Sequence, residues 1–113
     1  MIRIDPSKLV FQQVDRPGFS LTRMALLIDD SQSAEFNLKH FRLDPGAVTE
    51  LHSHEHEQLH YILQGEGILT DGQEETSVHA GEIWLINSQD PHAFTNPHKV
   101  PFAFLTVVSR TAS

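Results

Sequence analysis

The chain has 113 residues, with 15 Asp and Glu against 8 Lys and Arg, a formal net charge of −7 with histidine neutral. That length and a 39% apolar content fit one compact domain over residues 1–113, and the acidic balance argues against nucleic acid or an anionic membrane as the main partner. No cysteine is present, which removes disulfides, thiolate zinc sites, iron–sulfur clusters and thiol nucleophiles and leaves histidines and carboxylates as the strong ligands.

In chain order, the start Met1-Ile-Arg-Ile-Asp-Pro-Ser-Lys8 puts charges where a secretory leader needs an apolar run, and no stretch approaches membrane-spanning length, so a cytoplasmic protein is expected. Runs rich in β-branched, aromatic and leucine residues then alternate with turn formers. Strands are predicted at Leu9 to Val14, Phe19 to Ile28, Ala34 to Leu43, Gln58 to Gln64, Ile68 to Asp71, Glu75 to His79, Ile83 to Ile86, His92 to Thr95 and Phe102 to Val108. Between them lie breakers such as Arg16-Pro17-Gly18, Asp44-Pro45-Gly46, Gly65-Glu66-Gly67, Asp90-Pro91 and Asn96-Pro97. Asp71-Gly72 reads as a two-residue hairpin turn. Alternation sets Phe36, Leu38 and His40 on one strand face and Asn37, Lys39 and Phe41 on the other. The pattern predicts an all-β sandwich, jelly roll or small barrel, with a small polar tail at 109–113 expected to fray.

Four of the 8 histidines crowd into one short stretch, at positions 52, 54, 56 and 60. In an extended segment residues two apart face the same side, so His52 and His54 can chelate one metal ion. A turn through Glu55, His56 and Glu57 would fold the next strand back antiparallel and bring Gln58 beside that pair. A fourth ligand must come from elsewhere, and His92, just after the turn Gln89-Asp90-Pro91, is best placed. Water completing the shell would leave an open position for chemistry.

Gly46, His52-x-His54, Gln58 and Gly65 have the spacing of the first cupin motif, and Gly81, His92 and Asn96 resemble the second, a match spanning residues 46–96. The resemblance implies a jelly-roll barrel of the double-stranded β-helix type, with His52, His54, the Gln58 position and His92 holding a divalent transition metal such as Zn, Mn, Fe or Ni. Three positions depart from the family pattern: Gln58 replaces glutamate, Asn87 proline and Gln89 glycine. The last two only reshape a turn. Gln58 changes the chemistry, because a dication with four neutral ligands keeps its full +2 charge, favouring anionic oxygen ligands over electron donation to O₂. Small cupins with glutamine here resemble enzymes that open or isomerise unsaturated uronate sugars and some that cyclise polyketide chains.

His56-Glu57-Gln58-Leu59-His60 also spells H-E-x-x-H, but that zinc-protease pattern works only on a helix, and no helical stretch surrounds it. The remaining histidines carry less. His56 is expected in an exposed turn, while His40, His79 and His98 receive no functional reading. His60 shares the Gln58 face and stays open as a further ligand, a packed ring, or the catalytic base that moves a proton on the substrate. Asn96 is expected to brace a turn, and Trp84, Phe94, Phe102 and Phe104 to fill the core.

Three functions follow: a non-redox isomerase, lyase or cyclase acting on a small oxygenated anion; a dioxygenase using the same metal site; or a non-catalytic module that binds a small ligand. A homodimer is expected, since the edges of a small barrel and the apolar Leu9-Val10-Phe11 invite sheet extension.

Overall fold

Turn residues punctuate the chain almost where the sequence places its strands. The computed structural model describes residues 1–110. A 3₁₀ turn at Pro6–Lys8, capped by the Asp5 carboxylate accepting from Ser7 N, precedes nine strands. These are β1 (Gln12–Gln13), β2 (Ser20–Ile28), β3 (Phe36–Val48), β4 (Gln58–Gln64), β5 (Glu66–Thr70), β6 (Glu75–His79), β7 (Ile83–Ile86), β8 (Ala93–Thr95) and β9 (Phe102–Ser109). All pairings are antiparallel, in the order β6-β5-β8-β3-β9-β4-β7, with β2 also on β3 and β1 on β2. The sheet curls into the expected all-β jelly-roll barrel. No helix among the described residues is long and apolar enough to cross a membrane.

The curl is made by β3. Its first eight residues pair with β9 and residues 38–43 also with β2, but beyond a bend Val48 pairs with Ser20 and with Thr95 of β8. The expected break at Asp44-Pro45-Gly46 is instead absorbed inside the strand, where the register with β2 slips between Ser20 and Thr22. Such an irregularity tolerates Pro45, which has no N–H to give, and Gly46 N donates to Asn96 O at 2.7 Å. The Asn96 amide nitrogen bonds the carbonyls of Leu43 and Val100 at 2.9 and 2.8 Å, so its bracing role holds.

Other boundaries move for local reasons. Of the run Leu9 to Val14 only Gln12 and Gln13 form a strand, opposite Met24 and Arg23, with Val14 N donating to Thr22 O at 2.9 Å beyond it. The Asp71-Gly72 hairpin uses a four-residue loop, because the Asp71 carboxylate accepts from Gln73 N and Glu74 N at 2.9 and 2.8 Å and holds a wider turn. Strand β5 starts at Glu66 and runs through Gly67, where a Cβ would stand 2.4 Å from the Phe102 ring. Only glycine lets that ring lie against the strand. At the other end Ser109 closes β9, and Arg110 donates its N–H to Glu35 O at 2.7 Å and pairs with Asp30 at 3.1 Å. The rest of the expected fraying tail, 111–113, lies outside the described residues.

One apolar cluster fills the barrel: Leu43, Ala47, Ile62, Leu69, Val78, Ile86, Phe94, Phe102 and Phe104, with Phe41 and Trp84 packed against it. Strict alternation in β4 sends Gln58, His60 and Ile62 inward and Leu59, Tyr61 and Leu63 outward. Neighbouring strands are aligned in rows. Leu43 pairs with Phe102, Phe41 with Phe104 and Phe104 with Ile62, whereas the next row joins Lys39 to Thr106 and Thr106 to His60. The inner face thus passes from apolar to polar toward one end of the barrel, and there the histidines gather.

Candidate metal centre

His52 and His92 sit directly opposite each other as an isolated antiparallel bridge, each N–H donating to the other's carbonyl at 3.2 and 2.9 Å. That pairing presents both imidazoles to one end of the barrel. His54, two residues on, places its ring 4.2 Å from that of His52 and 5.5 Å from that of His92, centroid to centroid. Ligand nitrogens of the three lie within 4.8 Å of one another.

The rings are oriented by backbone. His52 Nδ1 stands 2.6 Å from Glu50 O and His92 Nδ1 3.1 Å from Asp90 O. A carbonyl accepts only, so each Nδ1 carries the proton and each Nε2 keeps its lone pair for a ligand. The loop bearing His54 is tied to the turn before His92. Gln89 N donates to His54 O at 2.7 Å, Ser88 Oγ to Glu55 O at 2.7 Å, and the Asn87 amide to Glu57 Oε2 at 3.0 Å. Gln89 adopts a φ of 70° in this turn; the departures at positions 87 and 89 reshape a turn and leave His92 in place.

Gln58 reaches the cluster by a different route from the one expected. The bend at Glu55 and His56 does not fold β4 back on the His52 segment; it carries the chain to the opposite wall, where β4 pairs with β7 and β9. The barrel's curl then brings the Gln58 amide oxygen to 3.2 Å from His92 Nε2, two acceptors that a shared cation would reconcile. His56 is half-buried rather than exposed and stays outside the cluster. Because His60 lies inside strand β4, the H-E-x-x-H string has no helix to act from.

His60 is 3% exposed, its ring 6.0 Å from that of His92, with Phe94 and Phe104 edge-on at 5.0 and 5.6 Å. Its Nδ1 is 2.9 Å from Thr106 Oγ1, while its Nε2 is buried without a partner. Burial pushes its pKa down to about 3, with the neighbouring His92 and His54 acting in the same direction. His54 is lowered to about 4 by burial, then by His52 and His92, and burial also lowers His92. All three imidazoles are therefore neutral near pH 7, the state a metal needs. For His60 this downward shift goes further than a base working near neutral pH requires.

A cavity of about 220 Å³ opens onto these groups, walled by Phe19, Phe41, Phe94, Phe104 and Val108 and also bordered by Lys39 and Arg16. Sequence reading passed over these two cations. The signal for Lys39 was present, since it alternates onto the same face as Phe41.

Residues 39–108 match the family model described as a cupin domain, and the chain belongs to the cupin family. Among solved structures it resembles the polyketide cyclase RemF from Streptomyces resistomycificus, with 30% identity and a TM-score of 0.90 over 98% of this chain and 80% of that one. It is also similar to a cupin-superfamily sugar phosphate isomerase from Silicibacter pomeroyi, at 25% identity and TM-score 0.85, covering 97% of this chain and 76% of that one. An oxalate-binding protein of Thermotoga maritima is 34% identical over 68 residues, 59% of this chain and 56% of the relative. The chain spans about half the length of the curated relatives it matches.

Proposed function

We propose that this cupin is a metal-dependent, non-redox enzyme, an isomerase, lyase or cyclase acting on a small oxygenated anion. The observation that carries the reading is the convergence of His52, His54, His92 and the Gln58 amide at the mouth of an aromatic cavity, with the unpartnered Nε2 of His60 buried beside them. A divalent ion held by those four neutral groups would supply Lewis-acid polarisation of a substrate oxygen, with its charge undiminished by any carboxylate ligand. The similarity to a polyketide cyclase and a sugar phosphate isomerase supports this class of reaction.

Isomerisation, elimination and ring closure of oxygenated carbon chains share a first step, removal of a proton from carbon beside a carbonyl. His60 is the residue we assign to it. Thr106 fixes the ring through Nδ1, and Phe94 and Phe104 keep water away. An anionic substrate beside the ring would offset part of the effect of burial and of the dication on its proton affinity.

The class-wide test is exchange of α-protons of acetoacetate in D₂O, followed by NMR. Zn²⁺-loaded protein is expected to accelerate exchange, and His60→Gln to bind Zn²⁺ equally while losing about 10²- to 10⁴-fold in rate. No acceleration by the wild type, or oxygen uptake by Fe²⁺-loaded protein on the same acid, would reject the non-redox reading.

A homodimer is part of the proposal. On the outer face Leu59 lies opposite Leu85 and Tyr61 opposite Ile83, all exposed, and β7 ends the main path of the sheet with a free edge. The apolar face of this edge offers a better surface than the N-terminal run, where Phe11 is already packed on His40 at 4.9 Å. Light scattering should give twice the chain mass for the wild type and a shift toward monomer for Leu85→Lys; a monomeric wild type would refute it.

A further inference from the structure

Two cations border the cavity, and among the described residues neither has an anionic partner. Among the described residues the ion pairs involve Arg23, His79, His98 and Arg110, not Lys39 or Arg16. Exposed cations need no partner, but a lysine half-buried against a cavity, as Lys39 is, points to a missing anion. Glu50 is the one carboxylate that borders the cavity, and it forms no ion pair with either.

Both cations are placed by the fold. Lys39 is half-buried on β3, directly abreast of Thr106, which is abreast of His60. Two strand spacings, about 10 Å, separate the backbones of Lys39 and His60, and the long lysine stem shares the same inner face. Arg16 begins a turn closed by Phe19 N donating to Arg16 O at 3.1 Å, and its guanidinium lies 4.8 Å from the centre of the Phe19 ring. Gly18 in that turn has a φ of 85°, and a Cβ there would fall 2.8 Å from Glu50 Cβ. Only glycine lets the turn sit this close to the segment that leads into His52.

Between the cations and the histidines stand flat walls. Phe41 stacks on Phe104 with centroids 5.4 Å apart, and Phe94 lies 4.4 Å from Phe104. The cavity, about 220 Å³, falls below the roughly 300–1,000 Å³ of sites for drug-sized ligands.

We propose that Lys39, assisted by Arg16, is the subsite for the carboxylate of a small, flat, conjugated acid, whose enolisable oxygen lies at the histidine end and whose carbon skeleton runs along Phe41, Phe94 and Phe104. This rests on the reading above for the histidine end only. Burial and the Arg16 charge both draw Lys39 below the usual lysine range, and an anion set between the two cations relieves both effects. The specificity follows from chemistry: the lysine recognises charge, the phenyl walls recognise a planar skeleton, and the small volume excludes extended polymers.

The test is NMR titration of the full chain, with Zn²⁺ and after chelation, using benzoate, its neutral isostere benzamide, and inorganic phosphate. In the chelated protein benzoate is expected to bind roughly tenfold more tightly than benzamide, the worth of one charge-assisted hydrogen bond, and phosphate to compete poorly. Lys39→Gln should erase the preference for benzoate, Lys39→Arg should keep it, and Arg16→Gln should reduce it in part. Equal binding of benzoate and benzamide by the wild type, or a preference that survives Lys39→Gln, overturns the subsite; phosphate binding as tightly as benzoate overturns the flat-acid class. Lys39→Gln is expected to keep Zn²⁺ binding, at an affinity equal to or above that of the wild type, because the lysine charge acts on His54. Failure of the wild type to bind Zn²⁺ would remove the metal reading while leaving the benzoate comparison in the chelated protein intact.

Discussion

His52→Ala and His54→Ala are each expected to cut Zn²⁺ affinity by well over about 100-fold, more than the loss usually seen when only a group supporting a ligand is removed. The cluster offers three imidazoles and one amide. Removing an imidazole leaves two strong donors, too few for the tetrahedral demand of zinc. The fold should survive, because the bridge from residue 52 to His92 is made by backbone groups that alanine retains. Competition with a chromophoric chelator reads the affinity, and circular dichroism reads the fold. Wild-type affinity in both variants would show that the metal, if any, binds elsewhere.

The second large effect is acid sensitivity of the metal-free protein. An unfolded histidine takes up its proton near pH 6.5, but folded His60 does so only near 3. The unfolded state therefore binds more protons between those values, so stability is fully present above about pH 6.5 and declines as pH falls through the window. His60 alone should remove roughly 2 kcal/mol by pH 5 and about 4 kcal/mol by pH 3. His54 and His92 act in the same direction, the former attenuated because it is more open to solvent. Carboxylates held below their usual range by hydrogen bonds, at Asp5, Asp29, Asp71 and Glu82, add to the loss only at lower pH. Urea midpoints at pH 7.5 and 5 measure the effect, and His60→Gln should flatten it. A midpoint independent of pH over that range would mean that His60 is far more hydrated than its burial implies.

Much of this was legible in the residues themselves. Strand positions follow from local chemistry, period-two alternation and turn formers, so all nine strands were found, and His52 and His54 were expected to share a side because they lie two apart in an extended segment. Gln58 was read correctly as a neighbour of the cluster but for the wrong geometric reason, since the curl of the barrel depends on how β3 bends around Pro45 and pairs with three different strands. Nothing local encodes that. The same holds for Thr106, which meets His60 only through the register of β4 on β9. Lys39 was placed on its face by alternation, yet its importance emerges only when the cations of the cavity are matched against the protein's ion pairs.

The backbone bridge between His52 and His92 also bears on how long the folded chain persists. Strands β4 to β7 lie between the two residues in the chain, so in the unfolded state they are far apart and only the local pair His52 and His54 remains. An ion bound at the cluster therefore belongs to the native state and stabilises it by about 1.4 kcal/mol for every tenfold excess over its dissociation constant. Opening of the barrel, and with it susceptibility to proteases that attack open chains, becomes coupled to metal supply. In a chain without disulfides, that ion would do the work of a crosslink, one that chelation can withdraw and resupply can restore.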